Sequence, residues 1–312
     1  MILTVTLNPS VDISYKLENF NLDTVNRVQD VTKTAGGKGL NVARVCTQLG
    51  EEVAATGFLG GALGQFIREE IVKIHIQDEF VACSGDTRNC IAILHNGKQT
   101  EVLEGGPTIT DEKDAFLKAF EELVQKVSLI TISGSLPKGL SADFYNELIA
   151  IANQASVKVL LDTSGASLES ALKVKEKPYF IKPNEEELAA LLNVEITNEA
   201  ELVGALLNPL FNGVEWIAAT LGKDGALVRH GDVFYRVHIP TVEVVNPVGS
   251  GDSVVAGFAS GFSKSYMGED LLTYALAMGV LNAMEEKTGH IDVEKLESIR
   301  QGMRVEEIEL PF

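Results

Sequence analysis

The sequence of 312 residues contains only three cysteines and five histidines. Cys46, Cys83 and Cys90 include no CxxC pair and their number is odd, so we expect buried, reduced thiols rather than a disulfide framework. The histidines are scattered, with no HExxH motif and no pairing with cysteine. The sequence therefore predicts no transition-metal site.

Long apolar runs are also missing. No stretch reaches the length of a membrane span. The opening residues MILTVTLNPS lack the basic region and long apolar stretch of a secretory signal. A reducing, cytoplasmic location is the resulting expectation.

Positive charge is scarce: Lys and Arg number 26 and Asp and Glu 44, which gives a formal net charge of −18. Such a surface repels nucleic acid and anionic membranes, so neither is expected as a partner. A small anionic substrate is still compatible, provided that the fold gathers a local cluster of arginine and lysine.

Hydrophobic residues make up 45% of the chain, enough for one large α/β domain or two small domains. From residue 111 onward, short apolar strands alternate with amphipathic helices, which predicts a mainly parallel sheet covered on both faces. Ligands in such folds bind at the carboxyl ends of the strands. Two β-rich stretches, at about 11–34 and 86–104, break this rhythm. We expect them to form a small sheet inserted into a single domain (1–312), as a lid over the strand ends.

The first glycine-rich turn precedes a predicted helix at Leu40–Leu49. Gly36 and Gly37 permit close backbone approach, and the exposed N–H groups at the helix start favour an anion or sugar hydroxyls. Lys38 adds positive charge. A tight turn with a solvated lysine explains the motif equally well.

The second glycine-rich turn precedes the apolar helix Val254–Phe262. Gly249, Ser250 and Gly251 would expose successive backbone N–H groups, and Asp252 would face a phosphoryl group held there. Taken alone, the motif is explained slightly better by Asp252 as an N-cap.

Two further motifs follow predicted strands. Asn184 and Glu187 share a helix face and suit Mg²⁺ held mainly through water, although an acidic helix start is the simpler explanation. The turn with Gly222 and Gly225 after Thr220 suits a nucleotide phosphate or a plain β-turn.

The order of these motifs is more specific than any one of them. GGKGLN, SGSLP, KPNEEE, TLGKDG and GSGD occur in that order between Gly36 and Asp252. The chain thereby resembles the PfkB (ribokinase-like) family of carbohydrate kinases, from Thr6 to about Gly289. The opening TLNPSVD and the segment SGDTR resemble the branch that acts on ketohexose phosphates. The resemblance implies a three-layer α/β/α ribokinase-like fold with a small β-sheet lid, ATP as donor and Mg²⁺ as cofactor.

The resemblance also implies roles for residues. The catalytic set would be Asp252, as the base, with Gly249, Ser250 and Gly251. The substrate-binding set would be Asp12, Arg27, Gly36, Gly37, Lys38, Asn41, Arg88 and Ser133. Within that set, Lys38, Arg88 and, more weakly, Arg27 would meet the phosphate. The nucleotide-binding set would be Lys182, Asn184, Thr220, Gly222, Gly225, Gly249, Gly251 and Asn282, the last near the adenine. Asn184 and Glu187 would organise Mg²⁺, mostly through water.

The chain departs from the family's DTxGAGD signature, which reads NPVGSGD from Asn246. Serine in place of alanine should keep the turn. Loss of the leading acidic residue puts in doubt its help in a monovalent-cation site.

The expected reaction is ATP-dependent phosphorylation of tagatose 6-phosphate at O1 to tagatose 1,6-bisphosphate, a step of lactose and galactose catabolism. The alternatives are phosphorylation of fructose 1-phosphate at O6 and a catalytically silent sugar-phosphate sensor, against which the intact GSGD loop and NxxE pair argue. A dinucleotide-dependent dehydrogenase fits less well, because no GxGxxG opens a helix after the first strand.

The lid also bears on assembly. The alternating residues Val11, Ile13, Tyr15 and Leu17 would be half exposed if the lid sheet stood alone, and exposed apolar faces usually find a partner. Since related kinases pair their lids, we expect a homodimer. The alternative is that this face packs on its own domain.

Overall fold

The structure is a computed structural model that describes residues 1–309. Its strands are β1 Ile2–Thr6, β2 Ser10–Leu17, β3 Asp30–Gly36, β4 Val53–Leu59, β5 Gln77–Asp78, β6 Val81–Ala82, β7 Arg88–His95, β8 Lys98–Leu103, β9 Leu129–Ser133, β10 Lys158–Asp162, β11 Phe180–Ile181, β12 Trp216–Thr220, β13 Ala226–His230, β14 Val233–His238 and β15 Arg304–Ile308. Its helices are α1 Lys38–Gln48, α2 Gly61–Lys73, α3 Glu112–Val124, α4 Phe144–Gln154, α5 Gly165–Lys173, α6 Glu185–Leu192, α7 Glu199–Leu206, α8 Ser250–Ser263, α9 Gly268–Ala283 and α10 Leu296–Gln301.

The larger sheet has the order β15-β14-β13-β12-β11-β10-β9-β1-β4-β5, with β6 also paired to β4. The strands from β12 to β5 are parallel, and β13, β14 and β15 add antiparallel strands at one edge. Adjacent residues of β11 lie in different buried clusters: Phe180 packs with α1, α8 and α9, and Ile181 packs with α3 to α7. Helices therefore cover both faces, and the predicted three-layer architecture is confirmed.

The smaller sheet is built from the two β-rich stretches that broke the sequence rhythm. Its order is β3-β2-β7-β8, in which β2 and β7 are parallel and the other pairs are antiparallel. It brings Asp12, on β2, and Arg88, at the start of β7, onto the same face, because Asp12 pairs with Cys90 two residues after Arg88.

The apolar face of β2 packs on its own domain, which was the alternative to a dimer interface. Val11 and Ile13 are buried in the same cluster as Ile67 and Ile71 of α2, and Tyr15 is half-buried against that cluster. This face packs on its own domain because α2 supplies the apolar surface that a partner subunit was expected to supply.

The three cysteines are free thiols, as expected. Only Cys46 is buried, whereas Cys83 and Cys90 are half-buried, so the prediction of burial is right for one of the three. No helix in residues 1–309 is both long and apolar enough to cross a membrane.

Candidate active site

The site lies at the carboxyl edge of the parallel strands. Ser133, Asp162 and Thr220 are the last residues of β9, β10 and β12, and Lys182 directly follows β11. Parallel strands end at one edge, so these side chains meet there with the N-terminal ends of α1 and α8.

Asp252 is a buried carboxylate in the first turn of α8. It is not the N-cap: that position belongs to Gly249, and no side chain caps this helix. Its Oδ2 instead accepts a hydrogen bond of 2.8 Å from Nδ2 of Asn41 on α1. Burial, reinforced by the negative charge of Asp162, raises the pKa of Asp252 to about 6, against the opposing effects of Lys38, Asn41 and Lys182. A carboxylate with this proton affinity is suited to accept a proton from a hydroxyl.

The turn that leads into α8 presents backbone N–H groups close to Asp252 in the chain. Gly249 has a left-handed φ of 83°, which starts the helix. The N–H of Ser250 donates to the carbonyl of Pro247, so it is occupied, contrary to the expectation of three successive free groups. Within residues 1–309, the N–H groups of Gly249, Gly251 and Asp252 have no protein partner. They leave a small anion-binding cradle at a helix N-terminus.

Asn246 preserves this loop despite the departure from the family signature. Its Oδ1 accepts from the N–H of Val248 and its Nδ2 donates to the carbonyl of Glu286, each at 3.0 Å. An amide therefore closes the loop where the family pattern has a carboxylate.

Asp162 is a further site residue that the motifs did not indicate. Its carboxylate is buried, with Oδ1 at 3.5 Å from Nζ of Lys182 and Oδ2 at 3.5 Å from Nζ of Lys38. Both oxygens lack a hydrogen-bond partner. A signal was present in the sequence: an aspartate ends an apolar strand between the strands that lead to Ser133 and Lys182.

Lys38 lies beside Asp162 and also lines one cavity together with Arg88, so its contact with the substrate phosphate stays a prediction. Burial lowers its pKa, but Asp162, Asp252 and Glu187 together raise it, so the pKa is above its usual value. Of these three acidic groups, Asp162 and Asp252 are buried, and Glu187 lies in the first turn of α6. Lys38 is therefore grouped with Asp252 rather than with Arg88 alone.

A cavity of about 290 Å³ opens between the two sheets. It is lined by Thr6, Asn8, Gly37, Lys38, Arg88, Ser133, Gly134, Ser135, Leu136, Thr163, Ser164 and Ser167. Four of these residues have a buried polar atom without a partner: Thr6 Oγ1, Asn8 Oδ1, Arg88 Nε and Ser133 Oγ. Buried polar groups are normally hydrogen-bonded, so this wall fits a polar ligand.

Asp12, on β2, lies next to the glycine turn at Gly36 and Gly37. Its Oδ1 accepts a hydrogen bond of 2.6 Å from Ser10, and burial raises its pKa in spite of Ser10, Arg44, Arg88 and the N–H of Gly37. A β-carbon at Gly36 would overlap the Asp12 carboxylate. Glycine at position 36 is thus required by Asp12.

Arg27 is not brought to the cavity. It is exposed in the segment between β2 and β3 and is absent from the cavity wall. Its predicted contact with the phosphate has no support within this chain.

Three of the eight nucleotide-binding candidates line a second cavity of about 510 Å³, whose wall consists of Asn184, Glu185, Glu186, Ala189, Ile196, Thr220, Leu221 and Gly222. The other five, Lys182, Gly225, Gly249, Gly251 and Asn282, are not in its wall. A backbone bridge pairs Asn184 with Thr220. Gly222 and Gly225 both have positive φ, and a β-carbon at Gly225 would overlap the carbonyl of Val237.

Asn282 has a different role from the predicted adenine contact. It is fully buried; its Nδ2 donates to the carbonyl of Val248 at 2.9 Å, and its Oδ1 accepts from the N–H of Gly289 at 2.8 Å. Its side chain has no exposed surface for a nucleotide, and it joins the 246–249 loop to the 288–290 segment.

The candidate metal residues form a capping box. Oδ1 of Asn184 accepts from the N–H of Glu187, and Oε2 of Glu187 accepts from the N–H of Asn184. Residues 1–309 contain no cluster of three His, Cys, Asp or Glu side chains able to hold a metal. Oε1 of Glu187 stays available, which fits a hydrated Mg²⁺ rather than one held directly by the protein.

Comparison with known proteins assigns the class. The pfkB family of carbohydrate kinases matches residues 5–295, and the chain belongs to this family. The expected kinase class is confirmed, and the dehydrogenase alternative is excluded. Tagatose-6-phosphate kinases from two strains of Staphylococcus epidermidis are 53% identical over 310 residues, covering 99% of this chain and 100% of each relative.

Solved structures agree with the fold. A protein described as a possible 1-phosphofructokinase from Thermotoga maritima is 27% identical, with a TM-score of 0.89 and 99% of each chain covered. Phosphofructokinase-2 from Escherichia coli, in complex with potassium, is 25% identical, with a TM-score of 0.88, covering 96% of this chain and 98% of that one.

Proposed function

We propose that this protein transfers the terminal phosphoryl group of ATP to O1 of tagatose 6-phosphate, giving tagatose 1,6-bisphosphate for lactose and galactose catabolism. The observation that carries the proposal is the buried Asp252 carboxylate beside free N–H groups of α8, in a chain 53% identical to tagatose-6-phosphate kinases. The substrate rests on that likeness, and the chemistry rests on the site.

The existing phosphate of the substrate would bind at the Arg88 end of the cavity. Two N–H groups of Arg88 donate to the carbonyls of Glu104 and Asn8, which fixes the guanidinium, while its buried Nε has no partner. Lys138 is a second cation near this end of the cavity. Its Nζ lies 3.7 Å from the position that a β-carbon of Gly105 would take. The carbonyl of Gly105 accepts a hydrogen bond from Asn8, which lines the cavity. Arginine clasps phosphate bidentately, so this end supplies the positive cluster that an acidic chain needs.

The sugar hydroxyls would meet Asp12, Asn41 and the N–H groups of the Gly36–Gly37 turn. Asn41 already uses its Oδ1 with Arg44 and one N–H with Asp252. It keeps one N–H to donate to a hydroxyl oxygen.

In the transfer step, the bond from O1 to the γ-phosphorus forms while the bond to the leaving ADP oxygen breaks. Asp252 takes the O1 proton. The transition state is loose, so positioning and charge stabilisation dominate. The cradle at Gly249 and Gly251 and the ammonium groups of Lys38 and Lys182 supply that stabilisation, and Asp162 holds both lysines in place.

ATP and the metal ions would bind next to the N-terminal end of α8. ATP would extend from this cradle towards Thr220 and Gly222, and Asn184 and Glu187 would hold Mg²⁺ mostly through water. When bound, Mg²⁺ neutralises phosphate charge. The potassium complex of phosphofructokinase-2 supports a monovalent cation as well.

The small sheet would act as a lid inserted into a single domain, and its closure would exclude water that competes as acceptor. A homodimer through this lid would use the exposed Leu22 and Val25, between β2 and β3. Light scattering with and without substrate tests it: a monomer in both would refute the dimer. The free thiols support a cytoplasmic location.

The proposed function is tested by steady-state comparison of tagatose 6-phosphate, fructose 6-phosphate and fructose 1-phosphate. We expect the highest kcat/KM with tagatose 6-phosphate. Preference for fructose 1-phosphate by ten-fold or more, about 1.4 kcal/mol, would assign the chain to that reaction instead. Binding of sugar phosphate and ATP without turnover would identify a sensor.

A further inference from the structure

Arg44, on α1, is a buried arginine that the family motifs do not assign to the site. Its Nη1 donates to Oδ1 of Asn41 at 3.1 Å and to the carbonyl of Thr288 at 3.2 Å. Its Nη2 donates to the carbonyl of Ala35. One guanidinium thus joins the active-site asparagine, the 288–290 segment and the turn that carries Gly36.

The chemistry of these partners fixes the orientation of Asn41. Arginine has only donors, so it must meet the oxygen of the asparagine amide. The NH₂ group then points the other way, to Oδ2 of Asp252 at 2.8 Å. The reversed amide would place two donors together at Arg44 and an oxygen lone pair against the Asp252 carboxylate.

We propose that Arg44 is a positioning residue for phosphoryl transfer, which holds the Asn41 amide in the orientation that donates to Asp252. This inference rests on the proposed function of Asp252 as the base. Arg44 touches neither substrate nor the transferred group and acts through Asn41.

The electrostatic surroundings make the effect measurable. Asp252 faces Asp162 at the end of β10, Lys38 and Asn41 on α1, and Lys182 after β11. Burial and Asp162 raise its pKa, and Lys38, the Asn41 hydrogen bond and Lys182 lower it. Loss of the Asn41 donor would therefore raise the Asp252 pKa further, so the acid limb of the rate profile would move to higher pH.

The test measures the pH dependence of kcat, with saturating substrates, in Arg44→Lys, Asn41→Ala and the double variant. Lysine keeps the charge but lacks the planar fork that reaches three acceptors. We expect each single variant to move the acid limb up by about half to one pH unit, which lowers kcat at pH 7 by up to about two-fold and at pH 5 by about three- to ten-fold. Because both changes act through one hydrogen bond, the double variant should show no more than the larger single effect.

Arg68→Lys is the matched control. Arg68, on α2, also makes a multidentate set of bonds, to both oxygens of Asp78 and to the carbonyl of Phe80, outside the active site. We expect it to lower thermal stability and leave the acid limb unchanged.

The outcomes separate the hypotheses. An Arg44→Lys protein that is less stable but keeps the wild-type acid limb would assign Arg44 a structural role only. If no Arg44 variant folds, an unchanged limb in Asn41→Ala would still overturn the inference, because the amide would then not tune Asp252. Absence of turnover in the wild type would instead refute the proposed function.

Discussion

The carboxylate of Asp162 lies 3.5 Å from the ammonium group of Lys182, and both side chains are buried at neighbouring strand ends. Asp162→Asn would remove the negative charge that helps to raise the Asp252 pKa. We expect the acid limb of kcat to move to lower pH, together with a loss of about 1–3 kcal/mol in unfolding free energy as the lysines lose their counter-ion. The pH dependence of kcat and urea unfolding measure the two effects. If the acid limb of kcat does not move, Asp162 contributes to stability but not to the pKa of Asp252.

Asp252→Asn tests the base. The change keeps side-chain size and still offers an oxygen to Asn41, but it removes the proton acceptor. A positioned base contributes about 10²–10⁴-fold in rate, so we expect a loss of turnover in that range with ATP affinity unchanged. Single-turnover rates combined with equilibrium ATP titration separate chemistry from binding. Retention of more than about a tenth of wild-type turnover would remove Asp252 from the catalytic role.

Rate and stability should respond to pH in opposite directions. Since Asp252 accepts a proton only when ionised, kcat should fall as pH drops below about 6. Its folded pKa is above the usual 3.8, so the folded state binds this proton more tightly than the unfolded state. The stability contribution of this group is complete below pH 3.8 and is lost as pH rises through 6. The difference in unfolding free energy between Asp252→Asn and wild type should therefore favour the variant more at pH 8 than at pH 5. The same difference at both pH values would contradict the raised pKa.

Gly36→Ala tests the contact between the glycine turn and Asp12. The added β-carbon would overlap the Asp12 carboxylate, so we expect KM for the sugar phosphate to rise about ten-fold or more, with ATP affinity unchanged. Gly204→Ala is the control, because a β-carbon there meets nothing within 4 Å on α7, and alanine favours a helix. Wild-type KM in Gly36→Ala would mean that Asp12 moves aside without loss.

Arg88→Met tests the distal phosphate site. Losing a charge-assisted contact of about 1.5–3 kcal/mol should lower kcat/KM for the sugar phosphate by about 10–100-fold. Lys138→Met should have a smaller effect in the same direction, and Lys175→Met, at an exposed position elsewhere, should have none. If Lys138→Met and Lys175→Met have the same kcat/KM, Lys138 does not contribute to binding of the substrate phosphate.

The sequence was most informative where a motif is local. The order of glycine turns and strands predicted the three layers, the small sheet and the position of Asp252, because backbone requirements at these turns are written in consecutive residues. Helix α8 nevertheless begins at Ser250, four residues before the predicted start, since the small residues of the turn already form its first turn.

Features that depend on distant partners could not be predicted in this way. Arg44 acquires its role from residues on other elements, and no local pattern marks it. Asp162 does end an apolar strand, but its two lysine partners come from other elements, as do the partners that bury Asn282. Packing of the apolar face of β2 on α2 could not be separated from pairing with a partner, because alternation shows that one face is apolar but not which element covers it.

The hydrogen bond between Asn41 and Asp252 joins residues 211 positions apart in the chain. During synthesis, the segments that form the glycine turn and the small sheet are made long before α8. Contacts of such large sequence separation form late and slow folding. A nascent or truncated chain that ends before α8 would therefore lack the acceptor carboxylate altogether, and kinase activity would report completion of nearly the whole chain.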